Sequence, residues 1–165
     1  VQLDPDYLDG REGLMQFYLQ APGVMGGSVD RAREQVNEIR RRSPYRGGIL
    51  AARLAVRQKD PAGAVREYAG LAAQFPDSAT PHSLLVALHA QEKQWDEGFR
   101  ALDRWLAAQP ESMLAQYALG RLAAESGQRL DRGEAALKRY VATHRPALNE
   151  PSHAAAHWRL GGIQE

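Results

Sequence analysis

The sequence predicts an all-α protein, a right-handed α-solenoid of antiparallel helix pairs with about four repeats and a final unpaired helix. Three observations predict this fold: a small residue recurs every 32 to 35 positions, two larger apolar residues follow it, and a proline closes each segment. Steps of four and three residues keep these side chains on one helix face, and proline prevents the helix from continuing. Self-similarity at this period is typical of stacked helix pairs. The aligned positions are Ala32, Val36, Ile39, Pro44; Ala64, Tyr68, Leu71, Pro76; Gly98, Leu102, Trp105, Pro110; and Gly133, Leu137, Tyr140, Pro146.

The first two helices are predicted on either side of a glycine-rich break. The first is expected from about Pro5 to Gln20, because the stretch 21–27 contains a proline and three glycines that end it. Ser28 is then predicted as the N-cap of a second helix. That helix runs to about Arg42 and ends in three arginines, which suit the negative end of a helix dipole.

Later pairs are predicted with shorter turns, at 46–58 and 61–74, 79–92 and 95–108, and 111–126 and 129–144. Pro61 follows Asp60, an order that suits an N-cap followed by a proline in the first helical turn. A ninth helix is predicted from about Pro151, since residues 157–163 match 116–122 and place Gly161 over Gly120. We therefore expect one repeat domain over 1–165 that is a piece of a longer protein, with repeats at about 5–44, 45–76, 77–110 and 111–146 and the start of a fifth at 151–165.

Composition narrows the function classes. The 165 residues are 44% apolar, enough for a core, and hold 21 basic against 20 acidic side chains. This balance argues against a nucleic-acid partner, because such binders usually carry a strong basic excess. The absence of cysteine excludes disulfides and thiolate chemistry. No apolar run approaches the roughly 20 residues that span a bilayer.

The helix pairs resemble tetratricopeptide (TPR) repeats, whose period is typically 34. Two first helices carry the Leu-Gly of that pattern, at Leu119–Gly120 and Leu160–Gly161, and four second helices carry its small residue and closing proline. The segment that begins at Leu14 is also similar to stretches of bacterial exported repeat proteins. The resemblance implies a non-catalytic protein- or peptide-binding scaffold without a cofactor. It also implies a periplasmic or exported bacterial protein, with a cytoplasmic one as the alternative.

In such repeats the first helices line a concave surface, and their inward positions are the candidate partner-binding residues. Arginine and aromatic side chains are enriched at binding hot spots, although the two aromatic residues among the candidates could instead pack between repeats. The candidates are Arg46, Arg53, Arg57, Gln91, Tyr117, Arg121 and Trp158.

Other constellations give little sign of chemistry. His153 and His157 share a helix face, but no glutamate follows the first as a His-Glu-x-x-His zinc site requires, so no metal is expected. The Gly23–Gly27 stretch lacks the lysine of a phosphate loop. The run Arg40–Arg42 is interpreted as a solvated helix end rather than an anion site. We expect no enzyme.

Two alternatives stay open. The chain could carry a small apolar ligand in a helical cavity lined by Met15, Phe17, Tyr18 and Met25. The unpaired final helix also predicts a homodimer, because an uncapped last helix exposes an apolar stripe. The residues expected in that contact are His157, Trp158, Leu160 and Ile163.

Overall fold

The computed structural model describes residues 7–143 and 145–164, and all the α-helices and the single 3-10 turn found there follow one another without a strand. The 3-10 turn, Gly23–Met25, lies between the first two helices. The helices are α1 (Leu8–Gln20), α2 (Val29–Arg42), α3 (Pro44–Arg57), α4 (Pro61–Gln74), α5 (Ala79–Gln91), α6 (Trp95–Ala108), α7 (Met113–Ser126), α8 (Leu130–Thr143) and α9 (His153–Gln164).

The predicted helices are confirmed, and the largest differences between described and predicted ends are shifts of two residues at the starts of α3, α7 and α9. The predicted start at Pro5 lies outside the described residues, and α1 begins at Leu8. The helix α3 begins at Pro44, two residues before the predicted start, so only Ser43 separates it from α2. Proline is well suited to the first helical position, where its missing N–H costs nothing. The same proline thus closes one helix and opens the next.

Two predicted N-caps have the expected geometry. The Ser28 Oγ accepts a hydrogen bond from the Arg31 backbone N–H at 3.3 Å. The Asp60 carboxylate accepts one from the Gly63 N–H at 2.8 Å, just ahead of α4. Each cap satisfies a backbone donor that the first helical turn leaves without a partner.

The helices form two compact units, one up to Leu71 and one from Ala72 onward. Unit 1 contains α1, α2, α3 and most of α4. Unit 2 contains the last turn of α4 and α5 through α9. The prediction of a single repeat domain stays a prediction.

The core of unit 1 is built on the predicted small and apolar positions of α2. Ala32, Val36 and Ile39 are fully buried, and they cluster with Met15 of α1 and Leu50 of α3. Close helix contact also depends on Gly48 of α3, where an added Cβ would lie 2.7 Å from a methyl group of Leu71. Such close approach is possible only where bulk is absent.

The core of unit 2 follows the same plan on α6 and α8. Its predicted small, apolar and aromatic positions are all buried. An added Cβ at Gly133 would lie under 3.0 Å from the Ala123 Cβ, which confirms the tight contact predicted there. Gly98 is less crowded, with the nearest Leu122 methyl at 3.0 Å. Tyr140 and Leu137 of α8 cluster with Ala156 of α9.

A buried histidine is part of this core. The His82 ring stacks on Trp105 with centroids 5.5 Å apart and an interplanar angle of 6°. Its Nε2 lies 3.2 Å from the Pro76 carbonyl oxygen, which also accepts a hydrogen bond from Gln109. Burial lowers the pKa of His82, and the hydrogen bond to Pro76 offsets this only in part. The folded protein therefore favours the neutral ring.

We expect unfolding to become easier as the pH falls below about 6.5, because the unfolded chain binds a proton at His82 that the folded chain resists. The contribution of His82 is complete above about pH 6.5 and is lost as the pH falls toward the lowered pKa of the folded state. A single such group changes the unfolding free energy by at most about 1.4 kcal/mol per pH unit. Urea unfolding across this range measures it.

The matched variant is His82→Phe, which keeps an aromatic ring beside Trp105 and leaves Gln109 on the Pro76 carbonyl. Its unfolding free energy should fall less steeply with acid than that of the wild type. Equal slopes in the two proteins would show that His82 is not the responsible group.

Candidate binding grooves

A hollow of unit 1 lies between α1 and α3, two first helices of the repeat pattern. It has a volume of about 500 Å³. We call it the α1–α3 groove, and its lining residues are Glu12, Met15, Gln16, Leu19, Gln20, Leu50, Arg53, Leu54, Val56 and Arg57. Apolar side chains make up its floor, and polar or charged ones surround them. That composition is typical of a binding site with a few orienting polar groups.

The charge of the groove changes along its length. At the amino ends of both helices, Arg46 donates to the Glu12 carboxylate at 2.6 and 3.0 Å and also pairs with Asp9. These hydrogen bonds raise the pKa of Arg46. Two carboxylates thus face one guanidinium here, which leaves this end with a net negative charge. Arg46, predicted to bind a partner, is already occupied by this contact.

The carboxyl ends of α1 and α3 are positive. Arg57 donates to the Leu19 backbone carbonyl at 2.9 Å and so ties α3 to the end of α1. Arg53 is exposed, lines the groove, and has no ion-pair or hydrogen-bond partner among the described residues. Its charge also acts on the buried Tyr68 hydroxyl, whose pKa burial raises and Arg53 partly lowers. Both arginines predicted here from the sequence therefore line the groove.

A second hollow lies within unit 2, between the end of α7 and the exposed side of α9, with a volume of about 490 Å³. Trp158 lines it with 76% of its surface exposed. Arg121, beside this hollow, lies 3.7 Å from the Glu125 carboxylate, which also faces Arg159 at 3.8 Å. The lining residues are Ala124, Glu125, His157, Trp158, Arg159, Gly161 and Gly162.

The remaining predicted residues do not join either hollow. Tyr117 is buried and packs against Tyr140 with ring centroids 5.3 Å apart, the packing role that the sequence left open. Gln91 is exposed at the end of α5 and lines neither cavity. Leu160 and Ile163, predicted for self-association, are partly buried against the core of unit 2, and their part in a homodimer stays a prediction.

The arginine run at the end of α2 is a paired helix end. Arg41 and Arg42 both bind the Glu38 carboxylate, and Arg40 reaches Glu67 of α4 at 2.8 Å. The run was interpreted from the sequence as a solvated helix end, and in the structure its three arginines are paired with carboxylates of α2 and α4.

The side chains predicted to line an apolar carrier cavity do not come together in either of the two hollows described above. Met15 is buried in the core of unit 1, whereas Phe17 is half exposed and Met25 is 69% exposed on the 3-10 turn. Of the four, only Met15 borders the α1–α3 groove.

The described ranges contain neither a cluster of metal-ligating side chains nor a helix that could span a membrane. His153 packs edge-on against Tyr140, and His157 is exposed. Within residues 7–143 and 145–164 no three histidine or carboxylate side chains gather as a metal site would require. The helices found there are all too short or too polar to cross a bilayer.

Half of the α1–α3 groove was not foreseen from the sequence. Glu12, Gln16 and Leu19 come from α1, which could not be aligned with later first helices because the glycine-rich stretch after it breaks the repeat. Their spacing of four and three residues was the available signal.

Comparison with solved structures places the fold among TPR-like repeat proteins. A Podosopora anserina protein of nearly identical TPR-like repeats superposes with a TM-score of 0.62 at 18% identity, covering 98% of this chain and 87% of that one. MamA from Desulfovibrio magneticus RS-1, from residue 41 to its end, gives 0.54 at 19% identity, with coverage of 96% and 94%. A MamA RS-1 double mutant gives 0.57 at 18% identity, with coverage of 96% and 93%.

These likenesses show the fold: antiparallel helix pairs of the TPR type. No protein-family model matches the chain. No curated protein matches it either.

Proposed function

We propose that this chain is a non-catalytic protein-binding scaffold whose α1–α3 groove receives a peptide segment with apolar side chains and a carboxylate. The observation that carries the proposal is Arg53, an exposed guanidinium beside an apolar floor with no partner among the described residues. Arginine can hold a carboxylate through two parallel hydrogen bonds. A bound peptide with an acidic group would supply the carboxylate partner that Arg53 lacks among the described residues.

The apolar part of the groove supports a peptide rather than a free anion. Leu19, Leu50 and Leu54 lie along the floor, so apolar side chains of a bound peptide would be removed from water when they pack against them. Burial of apolar area drives most protein association, and charged groups mainly fix orientation and partner choice. Apolar burial and charge pairing act together only for a ligand that has both apolar side chains and an acidic group.

The opposite charges of the two ends set an expected direction. Arg53 and Arg57 lie toward the carboxyl ends of α1 and α3, and Asp9 and Glu12 lie toward the amino ends. We therefore expect the acidic residue of the peptide near Arg53 and a neutral or basic residue near Glu12.

A displayed library of random dodecapeptides tests the proposal. Immobilised protein should enrich sequences that combine leucine or aromatic residues with aspartate or glutamate. The variant Arg53→Glu should bind the selected peptides at least about tenfold more weakly, because it replaces an attraction by a repulsion.

The matched control is Arg66→Glu, the same charge change at an exposed arginine of α4 that does not line the groove. It should leave peptide affinity within about twofold of wild type. Absence of acidic enrichment, or an equal loss in both variants, would count against the groove as the binding site. Selection of peptides without any acidic residue, with a lipid-like mass retained in native mass spectrometry, would favour the apolar carrier instead.

The predicted export from a bacterial cell stays a prediction.

A further inference from the structure

Two arginines of α3 bridge the α1–α3 groove, one at each end. Arg46 lies in the first turn of α3, and Arg57 is the last residue of that helix. They stand 11 positions apart in the sequence, which is roughly 16 Å along a helix axis. Arg46 reaches Asp9 and Glu12 of α1, and Arg57 reaches the Leu19 carbonyl near the other end of α1. Arginine therefore joins the two helices on both sides of the apolar floor.

The contact at the amino ends is an ion pair that involves three charged groups. The Arg46 Nε and Nη2 atoms both donate to the Glu12 Oε2, at 3.0 and 2.6 Å, and Nη2 also donates to Asp9. The side chains of Arg46 and Glu12 are 35% and 23% exposed, so the pair is partly withdrawn from water. Contacts of this kind weaken when salt screens the charges.

The contact at the carboxyl ends has a different chemistry. Arg57 donates to a backbone carbonyl in the last turn of α1, where helical carbonyls have no partner within the helix. The same end of α1 is also held by its connection to α2, because the Ser28 N–H donates to the Tyr18 carbonyl at 2.9 Å. Backbone groups therefore fix this end of α1.

The amino half of α1 is held by side chains instead. It lies at the opposite end of the helix from the connection to α2. Leu8 packs against the core of unit 1, and Arg11 donates to the Gln35 side chain of α2 at 3.1 Å. Toward α3, the polar contact is the one that Arg46 makes with Asp9 and Glu12. The position of this half relative to α3 thus depends on a pair of exposed charges that one substitution can remove.

We propose that Arg46 is a positioning residue of the groove, which sets the distance between the amino halves of α1 and α3 and so the width open to the peptide. Arg46 does not line the groove itself, whereas its partner Glu12 does. This inference rests on the proposed function of the α1–α3 groove. Without the ion pair, α1 moves away from α3 in part of the molecules, and the apparent affinity falls with the fraction that keeps the binding width.

Distances between spin labels on the two helices test the width without any peptide. The chain has no cysteine, so label pairs can be introduced by Gly13→Cys with Pro44→Cys at the amino ends and by Gln20→Cys with Gln58→Cys at the carboxyl ends, all exposed positions. In Arg46→Met the amino-end distance should lengthen and its distribution broaden, while the carboxyl-end distance stays the same. About 1 M salt should cause the same selective change in the wild type, because the screening length falls to about 3 Å.

A charge exchange shows whether the pair itself is responsible. Glu12→Arg or Arg46→Glu alone sets like charges opposite each other and should lengthen the amino-end distance. The double variant Glu12→Arg/Arg46→Glu restores opposite charges and should return the distance toward its wild-type value. An amino-end distance that is the same in the wild type and in Arg46→Met would overturn the proposal, as would a double variant no closer to wild type than the single ones.

The effect on binding is measured with a peptide selected from the library. Arg46→Met should weaken its binding about threefold to tenfold. Arg46→Lys should weaken it less, because lysine keeps the charge and loses the two-donor geometry, and it replaces Arg46→Met if that variant does not fold. The matched control is Arg66→Met, the same change at an exposed arginine outside the groove, and it should stay within about twofold of wild type.

The outcomes separate this inference from the proposed function. A longer amino-end distance with peptide affinity equal to that of Arg66→Met would overturn the positioning role, while the groove would still be the binding site. If no peptide binds the wild type, the proposed function fails, and the label distances alone decide whether Arg46 sets the width.

Discussion

Replacing Gly120 with alanine is expected to destabilise the protein by about 3 kcal/mol, because the new methyl group has no space. Three atoms of Leu137 would lie under 3.0 Å from it, and Leu137 is itself fully buried and packed, so it cannot move aside cheaply. Helix propensity alone predicts the opposite sign, since alanine is favoured over glycine by roughly 1 kcal/mol in a helix interior. Urea unfolding of the variant measures which term prevails.

The matched control is Gly161→Ala, at the position of α9 that aligns with Gly120. Its methyl group meets nothing within 4 Å, so only the propensity term remains and a gain of up to about 1 kcal/mol is expected. Both variants are measured at low protein concentration, so that self-association does not contribute to the unfolding free energy. The double variant Gly120→Ala/Leu137→Ala should lose less stability than the two single variants added together, since the shortened side chain at 137 leaves room for the new methyl group at 120. Equal effects at the two glycines would contradict the close α7–α8 contact.

Trp105→Ala is expected to cost about 4 kcal/mol, the second large effect, because it empties the most voluminous buried site of unit 2. The Trp105 side chain is fully buried on α6 and stacks on His82. Its removal leaves a cavity beside a buried histidine whose hydration would then change. Thermal and urea unfolding both report this loss.

Trp105→Phe should cost much less, on the order of 1 kcal/mol. The buried Trp105 Nε1–H has no acceptor among the described residues, and a buried donor without a partner costs about 1–3 kcal/mol. Phenylalanine removes that donor and keeps a ring against His82, so the two effects oppose each other. A loss as large as that of Trp105→Ala would show that the indole N–H is satisfied after all.

The repeat was predictable because the fold depends on spacings that the sequence displays directly. Ala32, Ala64, Gly98 and Gly133 mark the helix contacts, and each lies buried where the pattern placed it. Prolines and N-caps then gave the ends of the helices to within about two residues. The start of α3 at Pro44 instead of residue 46 was missed because a proline that ends one helix can also begin the next. The pattern alone does not say how many residues separate the two helices.

The candidate site was only partly predictable, since exposure depends on which neighbours cover a residue. Arg46 and Arg53 lie on the same helix, yet only the first meets carboxylates from α1. Tyr117 and Trp158 are aligned in the repeat, yet their surroundings differ. Residues of α8 and α9 bury Tyr117, whereas Trp158 is exposed on α9. A single sequence records each residue type without recording the partner that packs against it.

Amide chemical-shift mapping by NMR, with an acidic and apolar peptide from the library titrated into the full chain, tests the binding claim most directly. Saturable shifts are expected on α1 and α3, concentrated at Leu19, Leu50, Arg53 and Leu54, and they should disappear in Arg53→Glu and persist in Arg66→Glu. Shifts confined to residues outside the α1–α3 groove, or unchanged by Arg53→Glu, would contradict it.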